Sequence, residues 1–212
     1  MSGAGLERTR ARVDAYYSDK IKAFGATPRG VDWTCLATQN LRFVQLLRAC
    51  DFSADFSLND VGCGYGALLA FCQERHPDRQ IDYTGIDLSA AMVRAARLHW
   101  RGAPRARFVV GARCPRSADF SIASGLFNVC QSSARDEWES FVRATLRELA
   151  RASSKAFSAN FMAPLDPGAP VVPQLYRTAP APWVDFCVDE LGGRVRLIEG
   201  YGLREFTLLV DL

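Results

Sequence analysis

Histidine is almost absent: His76 and His99 are the two imidazoles of a 212-residue chain. Neither has companions at metal-ligand spacing, so no zinc or magnesium constellation is expected and a metal-assisted reaction is set aside. No apolar run approaches the length of a membrane span, and the amino-terminal MSGAGLERTRARVDAYY lacks the apolar core of a secretory signal. Charge of one sign is also short. The formal net charge is +3, too small to argue for nucleic acid, and nearly all the positive residues are arginine, which coding bias explains as readily as function. Cysteine occurs seven times, at Cys35, Cys50, Cys63, Cys72, Cys114, Cys130 and Cys187, but as an odd, scattered set without a CxxC pair. That pattern reads as reduced thiols in a cytosol. The expectation is a soluble cytoplasmic protein with no membrane partner, folded as one domain over residues 1–212, a length that buries an ordinary core without staples.

What the chain does have is the stretch Phe56 to Phe71, FSLNDVGCGYGALLAF, in which an apolar strand runs into a glycine-rich turn and then an apolar helix start. Asp60 closes the strand, which puts its carboxylate at the carboxyl edge of a sheet, where open α/β folds bind ligands. Gly62, Gly64 and Gly66 supply a tight turn and remove the Cβ atoms that would keep a ligand off the main chain. Twenty-one residues after Gly66, Asp87 ends a second apolar strand, Tyr83 to Ile86. Two acceptors flanking one glycine turn suggest a bound nucleoside.

Around that stretch the hydropathy pattern alternates. Helices are expected over Leu6 to Phe24 and Thr34 to Asp51, joined by the loop Gly25 to Trp33, GATPRGVDW. From Phe56 the order is strand to Asp60, helix Ala67 to Glu74, strand Asp82 to Asp87, helix Ser89 to Trp100 capped by Ser89, and strand Arg107 to Gly111. Strand Phe120 to Ser124, helix Asp136 to Ala152, strand Lys155 to Met162 and helix Pro182 to Leu191 follow. Such alternation means a mostly parallel sheet with helices on both faces. The end departs from it, because Val195 to Glu199 and Glu205 to Leu212 are joined too closely for a crossover helix and form an antiparallel hairpin. Residues 1–54 make an amino-terminal helical cap on a core of residues 55–212. Residues 163–182 carry six prolines and emerge at the same sheet edge as the glycine turn, either as a lid or as a stiffened surface connection.

Gly62, Gly64 and Ala67 also satisfy the dinucleotide pattern GxGxxG/A, with Asp87 near the ribose position, so the turn alone leaves a nicotinamide-dependent reductase open. Asp60 before the turn, Gly66 two residues after Gly64, and the helical lead before the motif point elsewhere. Together with the strand order and closing hairpin, Asp60-Val61-Gly62-Cys63-Gly64-Tyr65-Gly66 resembles the first motif of the class I S-adenosylmethionine-dependent methyltransferases. The resemblance covers Phe56 to Leu212 and implies their Rossmann-like sheet and their cofactor, S-adenosyl-L-methionine. It further implies that Asp60, Gly62, Cys63, Gly64 and Gly66 surround the methionine end, that Asp87 accepts the two ribose hydroxyls, and that Leu88 and Met92 flank the adenine. A vicinal diol offers two donors that one carboxylate can accept together. Gly111 and Ala112 stand where the family often has an acidic residue on the adenine amino group, so a main-chain carbonyl is expected there. Ser124 and Gly125 are cofactor-side residues, and Asn128 orients a substrate or caps its turn. The segment from Tyr16 to Arg42, with GATPRGVDW, resembles a bacterial subgroup of the family, which implies that Trp33, Gln39 and Arg42 close over the cofactor. Read alone, Trp33 is equally a core anchor and Arg42 a solvated helix charge.

Methyl transfer from a sulfonium is an in-line displacement that alignment alone accelerates, by roughly 7 to 11 kcal/mol of barrier. No histidine base is expected, because His76 and His99 lie toward the amino edge of the sheet. If a base is needed, Tyr16, Tyr17, Asp32 and the acidic cluster Asp136, Glu137 and Glu139 are available, the last three more simply as first-turn helix residues favoured by the dipole. An acceptor that is already nucleophilic, such as an amine, carboxylate or phenolate, needs none. Cys63 is read as packing. A small-molecule acceptor is the leading expectation. The competing readings are an RNA methyltransferase, suggested by the basic stretch Arg94, Arg97, Arg101, Arg105, Arg107, Arg113 and Arg116, and a non-catalytic cofactor-binding subunit. Oligomeric state is not legible.

Overall fold

The computed structural model describes residues 3–212; the first two residues of the amino-terminal segment read above lie outside them. A seven-stranded sheet has the order β3-β2-β1-β4-β5-β7-β6, with β1 Phe56–Val61, β2 Ile81–Asp87, β3 Ala106–Val110, β4 Ala118–Ala123, β5 Ser153–Met162, β6 Arg194–Ile198 and β7 Glu205–Asp211. The first five strands pair in parallel, and β7 runs antiparallel to both β5 and β6. Because β7 is reversed, its first residue lies beside the last of β5: Glu205 pairs with Met162. An acidic residue of the terminal hairpin thereby arrives at the same edge as the glycine turn.

Strands alternate their side chains between two apolar clusters, as a pleated strand buried on both faces must. On β7, Leu208 and Val210 enter one cluster and Leu209 the other; on β5, Phe157, Ala159 and Phe161 oppose Ala156. The first cluster is closed by α5, Arg135–Arg151, whose Trp138, Phe141, Val142, Leu146 and Leu149 form one helical stripe. Asp136 and Glu137 occupy its first turn, where the helix dipole favours them. The second cluster is closed by α2 Leu36–Leu46, α3 Ala67–Arg75 and α4 Ala90–His99. Ser89 caps α4 by accepting the Met92 amide at 3.2 Å.

The helix α1, Gly3–Phe24, packs on both α4 and α5 and so lies across the carboxyl edge of the sheet. Three segments depart locally from the sequence pattern. Within GATPRGVDW, Pro28–Val31 forms a 3-10 turn, because Pro28 presets its φ and Thr27 accepts the Gly30 amide. The second helix tightens into a 3-10 turn over Leu47–Ala49. The helix expected over Pro182 to Leu191 is α6, Ala181–Asp185, continued as a π-helical turn over Phe186–Glu190.

The proline-rich segment is exposed from Pro170 to Gln174 and then docks. Cys130 donates its amide to Gln174, Tyr176 to Asn128, and Thr178 to Met162, at 2.9, 2.9 and 3.1 Å, stitching it to the β4 loop and the end of β5. No helix among the described residues is long and apolar enough to cross a membrane.

Candidate functional site

At the carboxyl edge, α1, the 31–34 loop, α2, the glycine turn and the β4 loop enclose a cleft of about 290 Å³. Every cofactor or catalytic residue expected above lines it, with the exception of Gly66. Gly66 opens α3 with its Cα against Trp100, whose ring nitrogen stands 2.4 Å from where a Cβ would sit, so its role is close packing and not ligand approach. Gly64 does face the cleft. Its φ of +54° and the Val31 Cγ1 at 2.6 Å from a would-be Cβ show the 3-10 turn seated directly on the glycine turn.

Asp87 is organised by the main chain: Gly64 donates to one oxygen at 2.9 Å and Ser89 to the other at 2.8 Å. Burial nonetheless pushes its pKa up to about 6. Asp60 is more extreme. It accepts the Tyr83 hydroxyl with Oδ2, its Oδ1 has no partner, and burial raises its pKa to about 7. Like Asp60 Oδ1, three further buried oxygens of cleft-lining residues, Gln39 Oε1, Ser124 Oγ and Asn128 Oδ1, lack partners among the described residues. Leaving a buried polar atom unsatisfied costs about 1–3 kcal/mol, so a set of them around one cleft is the imprint of a ligand rich in donors. The ammonium and ribose hydroxyls of S-adenosylmethionine are such donors, and the residues present fit that group. Gly111 and Ala112 bring no acidic side chain to the cleft, leaving main-chain atoms for the base.

The cap is locked by charge. Arg42 donates Nε to the Glu205 oxygens at 2.8 and 3.0 Å, pairs again with Oε1 through Nη2, and gives Nη1 to the Thr38 carbonyl at 2.8 Å. Glu205 also accepts Asn160 Nδ2 at 2.8 Å, and Asn160 Oδ1 accepts the Gly125 amide at 2.7 Å. Trp33 lies between Arg42, whose guanidinium is 4.0 Å from its ring, and Gly125, where a Cβ would meet the ring at 2.2 Å. Arg42 is therefore neither a solvated charge nor free to hold a ligand anion; it is a buried structural cation. Glu205 and Asn160 were not anticipated. Their signal in the sequence was a lone acid opening the apolar strand EFTLLVD and an asparagine near the end of β5.

Asp32 is committed elsewhere as well. It takes the left-handed conformation at φ 64° and accepts Tyr16 Oη and Lys20 Nζ, both at 2.6 Å, which clamps α1 to the 3-10 turn and leaves both carboxylate oxygens engaged. The Tyr17 hydroxyl has no partner among the described residues, and burial with Asp32 and Asp87 nearby raises its pKa far above the usual phenol range. It can donate a hydrogen bond but holds its proton too tightly to be a ready base. Burial likewise pushes the Cys63 thiol well up, keeping it neutral. His76 stacks on Phe52 and His99 meets Tyr65 edge-on, both outside the cleft lining. Among the described residues no group of three or more His, Cys, Asp or Glu side chains could hold a metal ion.

A sheet of this order, reversed only at β7, with an acid, a glycine turn and a second acid around a donor-hungry cleft, defines the class I S-adenosylmethionine-dependent methyltransferases. Residues 59–155 match the family described as "Methyltransferase domain". The chain is 42% identical over 164 residues to the putative methyltransferase Rv1506c of Mycobacterium tuberculosis, covering 77% of this chain and 98% of that one, and belongs to the methyltransferase family. Among solved structures it is similar to magnesium protoporphyrin IX methyltransferase from Synechocystis PCC 6803 with bound S-adenosylmethionine, at TM-score 0.64 and 16% identity over 96% of each chain. It is also similar to human N-acetylserotonin methyltransferase, at TM-score 0.58 and 18% identity over 97% of this chain and 57% of that one. S-adenosylmethionine is the cofactor.

Proposed function

We propose that this chain methylates a small-molecule acceptor at oxygen or nitrogen, as a single domain in which α1 and the proline-rich segment 163–182 cover the acceptor. The observation that carries this reading is the mainly apolar lining of the cleft, to which Val13 and Tyr17 of α1, Phe141 of α5, Val129 and Leu175 contribute. Enclosed apolar pockets with few polar groups suit small ligands. Two of the structural neighbours named above act, by their names, on small molecules, in keeping with this reading.

The bound cofactor supplies an electrophilic methyl group on a sulfonium. Around it, the chain's own residues exclude water, orient the acceptor and align its lone pair. Asp60, Gly62, Cys63, Gly64, Asp87, Leu88, Met92, Gly111, Ala112, Ser124 and Gly125 would contact the cofactor, with Trp33, Gln39 and Arg42 closing or bracing the site. Asn128 and Tyr17 would face the acceptor. With Asp32 engaged and Tyr17 firmly protonated, the acceptor reacts in a form that is already nucleophilic.

The basic stretch that motivated an RNA substrate supports it poorly. Arg97 is spent on the Phe108 carbonyl and Arg116 on Asp82, and none of its seven arginines lines the cleft. Incubation with methyl-labelled S-adenosylmethionine, against a host metabolite extract in one arm and total tRNA in another, tests the assignment. Label is expected in low-mass products; label in tRNA alone would reverse it.

A further inference from the structure

Two polar atoms of cleft-lining residues, Arg10 Nε and Asn128 Oδ1, have no hydrogen-bond partner among the described residues. Arg10, Val13 and Tyr17 follow one face of α1 at helical spacing and all line the cleft. The Arg10 side chain is only 26% exposed. Its Nη1 reaches outward to Glu7 at 2.7 Å, a pair whose acid is 70% exposed, while its Nε–H is buried without an acceptor. An exposed i,i+3 pair of this kind contributes little and yields readily to a better partner. Asn128, also in the lining, is 5% exposed, and its carboxamide makes no hydrogen bond among the described residues, with Oδ1 fully buried.

The other Asp, Glu and Arg side chains of the cleft each have at least one partner within the protein. Glu205 neutralises Arg42, Asp32 has Lys20, Asp60 has the Tyr83 hydroxyl, and Asp87 has two main-chain amides. Arg10 and Arg42 are the cations of the lining, so Arg10 alone faces it without a counter-ion inside. The same lining also carries the apolar side chains of Val13, Val129, Phe141 and Leu175.

We propose that the acceptor is a small organic acid with an apolar body, its carboxylate seated on Arg10 and an N–H or O–H group donated to Asn128 Oδ1. This deepens the small-molecule reading above and rests on it. A guanidinium N–H that is buried and unpaired forms its strongest hydrogen bond with an anionic oxygen. The apolar side chains that share the lining set the character of the rest of the molecule, and a buried carboxamide oxygen selects for a donor because an acceptor there would leave both groups unsatisfied.

Calorimetry on the full chain saturated with S-adenosylhomocysteine tests the proposal, using benzoate, phenylacetate and 4-aminobenzoate as probes against the three corresponding primary amides. The acids are expected to bind wild type at least about tenfold more tightly than their amides, a difference that Arg10→Gln removes and Arg10→Lys partly restores. Glu7→Gln should retain the preference, and Asn128→Ala should weaken 4-aminobenzoate more than benzoate. An unchanged S-adenosylhomocysteine affinity in Arg10→Gln shows that the cleft is intact. Equal affinity for acids and amides, or no acid binding up to about 10 mM, overturns the anionic class while leaving a small-molecule acceptor standing. Methyl label passing to tRNA and to no small molecule overturns both.

Discussion

The carboxylate of Glu205, the first residue of β7, is gripped by the guanidinium of Arg42 from α2, 163 residues earlier in the chain. Through Asn160 the same carboxylate is tied to the Gly125 amide beside the methyl-transfer edge. The pair joins the amino-terminal cap, the closing hairpin and the β4 loop in one polar chain buried from water.

Removing one partner leaves the other as an uncompensated buried charge. Arg42→Ala and Glu205→Ala are each expected to lose about 3–5 kcal/mol of stability in urea denaturation. The double variant Arg42→Met with Glu205→Leu should recover most of it, since well-packed apolar groups replace a buried pair at little net cost. A double variant no more stable than either single would show that the pair itself is worth more than its desolvation.

Gly125 has φ +67° and the Trp33 ring where a side chain would go. Gly125→Ala should therefore weaken S-adenosylmethionine binding by at least about tenfold in calorimetry, by tilting Trp33 off the site. Adding Trp33→Leu should restore part of the affinity because it removes the collision and leaves only the backbone strain. Wild-type affinity in Gly125→Ala would mean that Trp33 moves without consequence for the cofactor.

The two cleft carboxylates make the protein sensitive to pH in an uncommon direction. Burial raises Asp60 to about 7 and Asp87 to about 6, above an unfolded value of about 3.9. In the free protein the folded state thus binds more protons than the unfolded state between about pH 4 and 7, so stability is fully present below that window and falls as pH rises through it. Asp60→Asn should flatten this slope in denaturation profiles. Cofactor affinity should run the other way, tightening from about pH 5.5 to 7.5 as both groups ionise and become better acceptors for donor groups. Profiles that coincide for wild type and Asp60→Asn would rule Asp60 out as the titrating group.

Cys35 is the exposed thiol among seven free cysteines, and hydrogen bonds from Thr38 lower its pKa, whereas burial raises Cys63, Cys72, Cys114, Cys130 and Cys187. A thiol reagent such as DTNB should titrate one fast equivalent in the native protein, lost in Cys35→Ser, with the buried thiols following upon denaturation. Several fast equivalents would mean that the core opens on the timescale of the reaction.

The parts of the fold that follow from periodicity were legible: strand and helix alternation, the acid and glycine turn, the Ser89 cap and the reversed final hairpin each have a local cause in the sequence. The lining residues near the glycine turn were legible for the same reason, because they sit at strand ends next to one another in sequence. What stayed hidden depends on distant partners. Arg42 reads alone as a surface helix charge, and nothing near it announces Glu205. Gly66 belongs to the turn in sequence, yet Trp100 decides its role. Arg10 and Val13 lie on a helix whose cleft-facing side is set by packing against α4 and α5, and Asp32 looks free until Tyr16 and Lys20 fold back onto it.

The position of β7 inside the sheet, between β5 and β6, also bears on how the protein is made. A ribosome-bound chain that has not yet delivered residues 205–211 possesses the glycine turn, both cleft aspartates and the whole cap, but Arg42 has no counter-charge and Asn160 no carboxylate. The polar chain that braces the cleft is therefore completed only when β7 has been made. A nascent chain arrested before it would expose the β5 edge, and that interval is when chaperone capture or misassembly has its best chance.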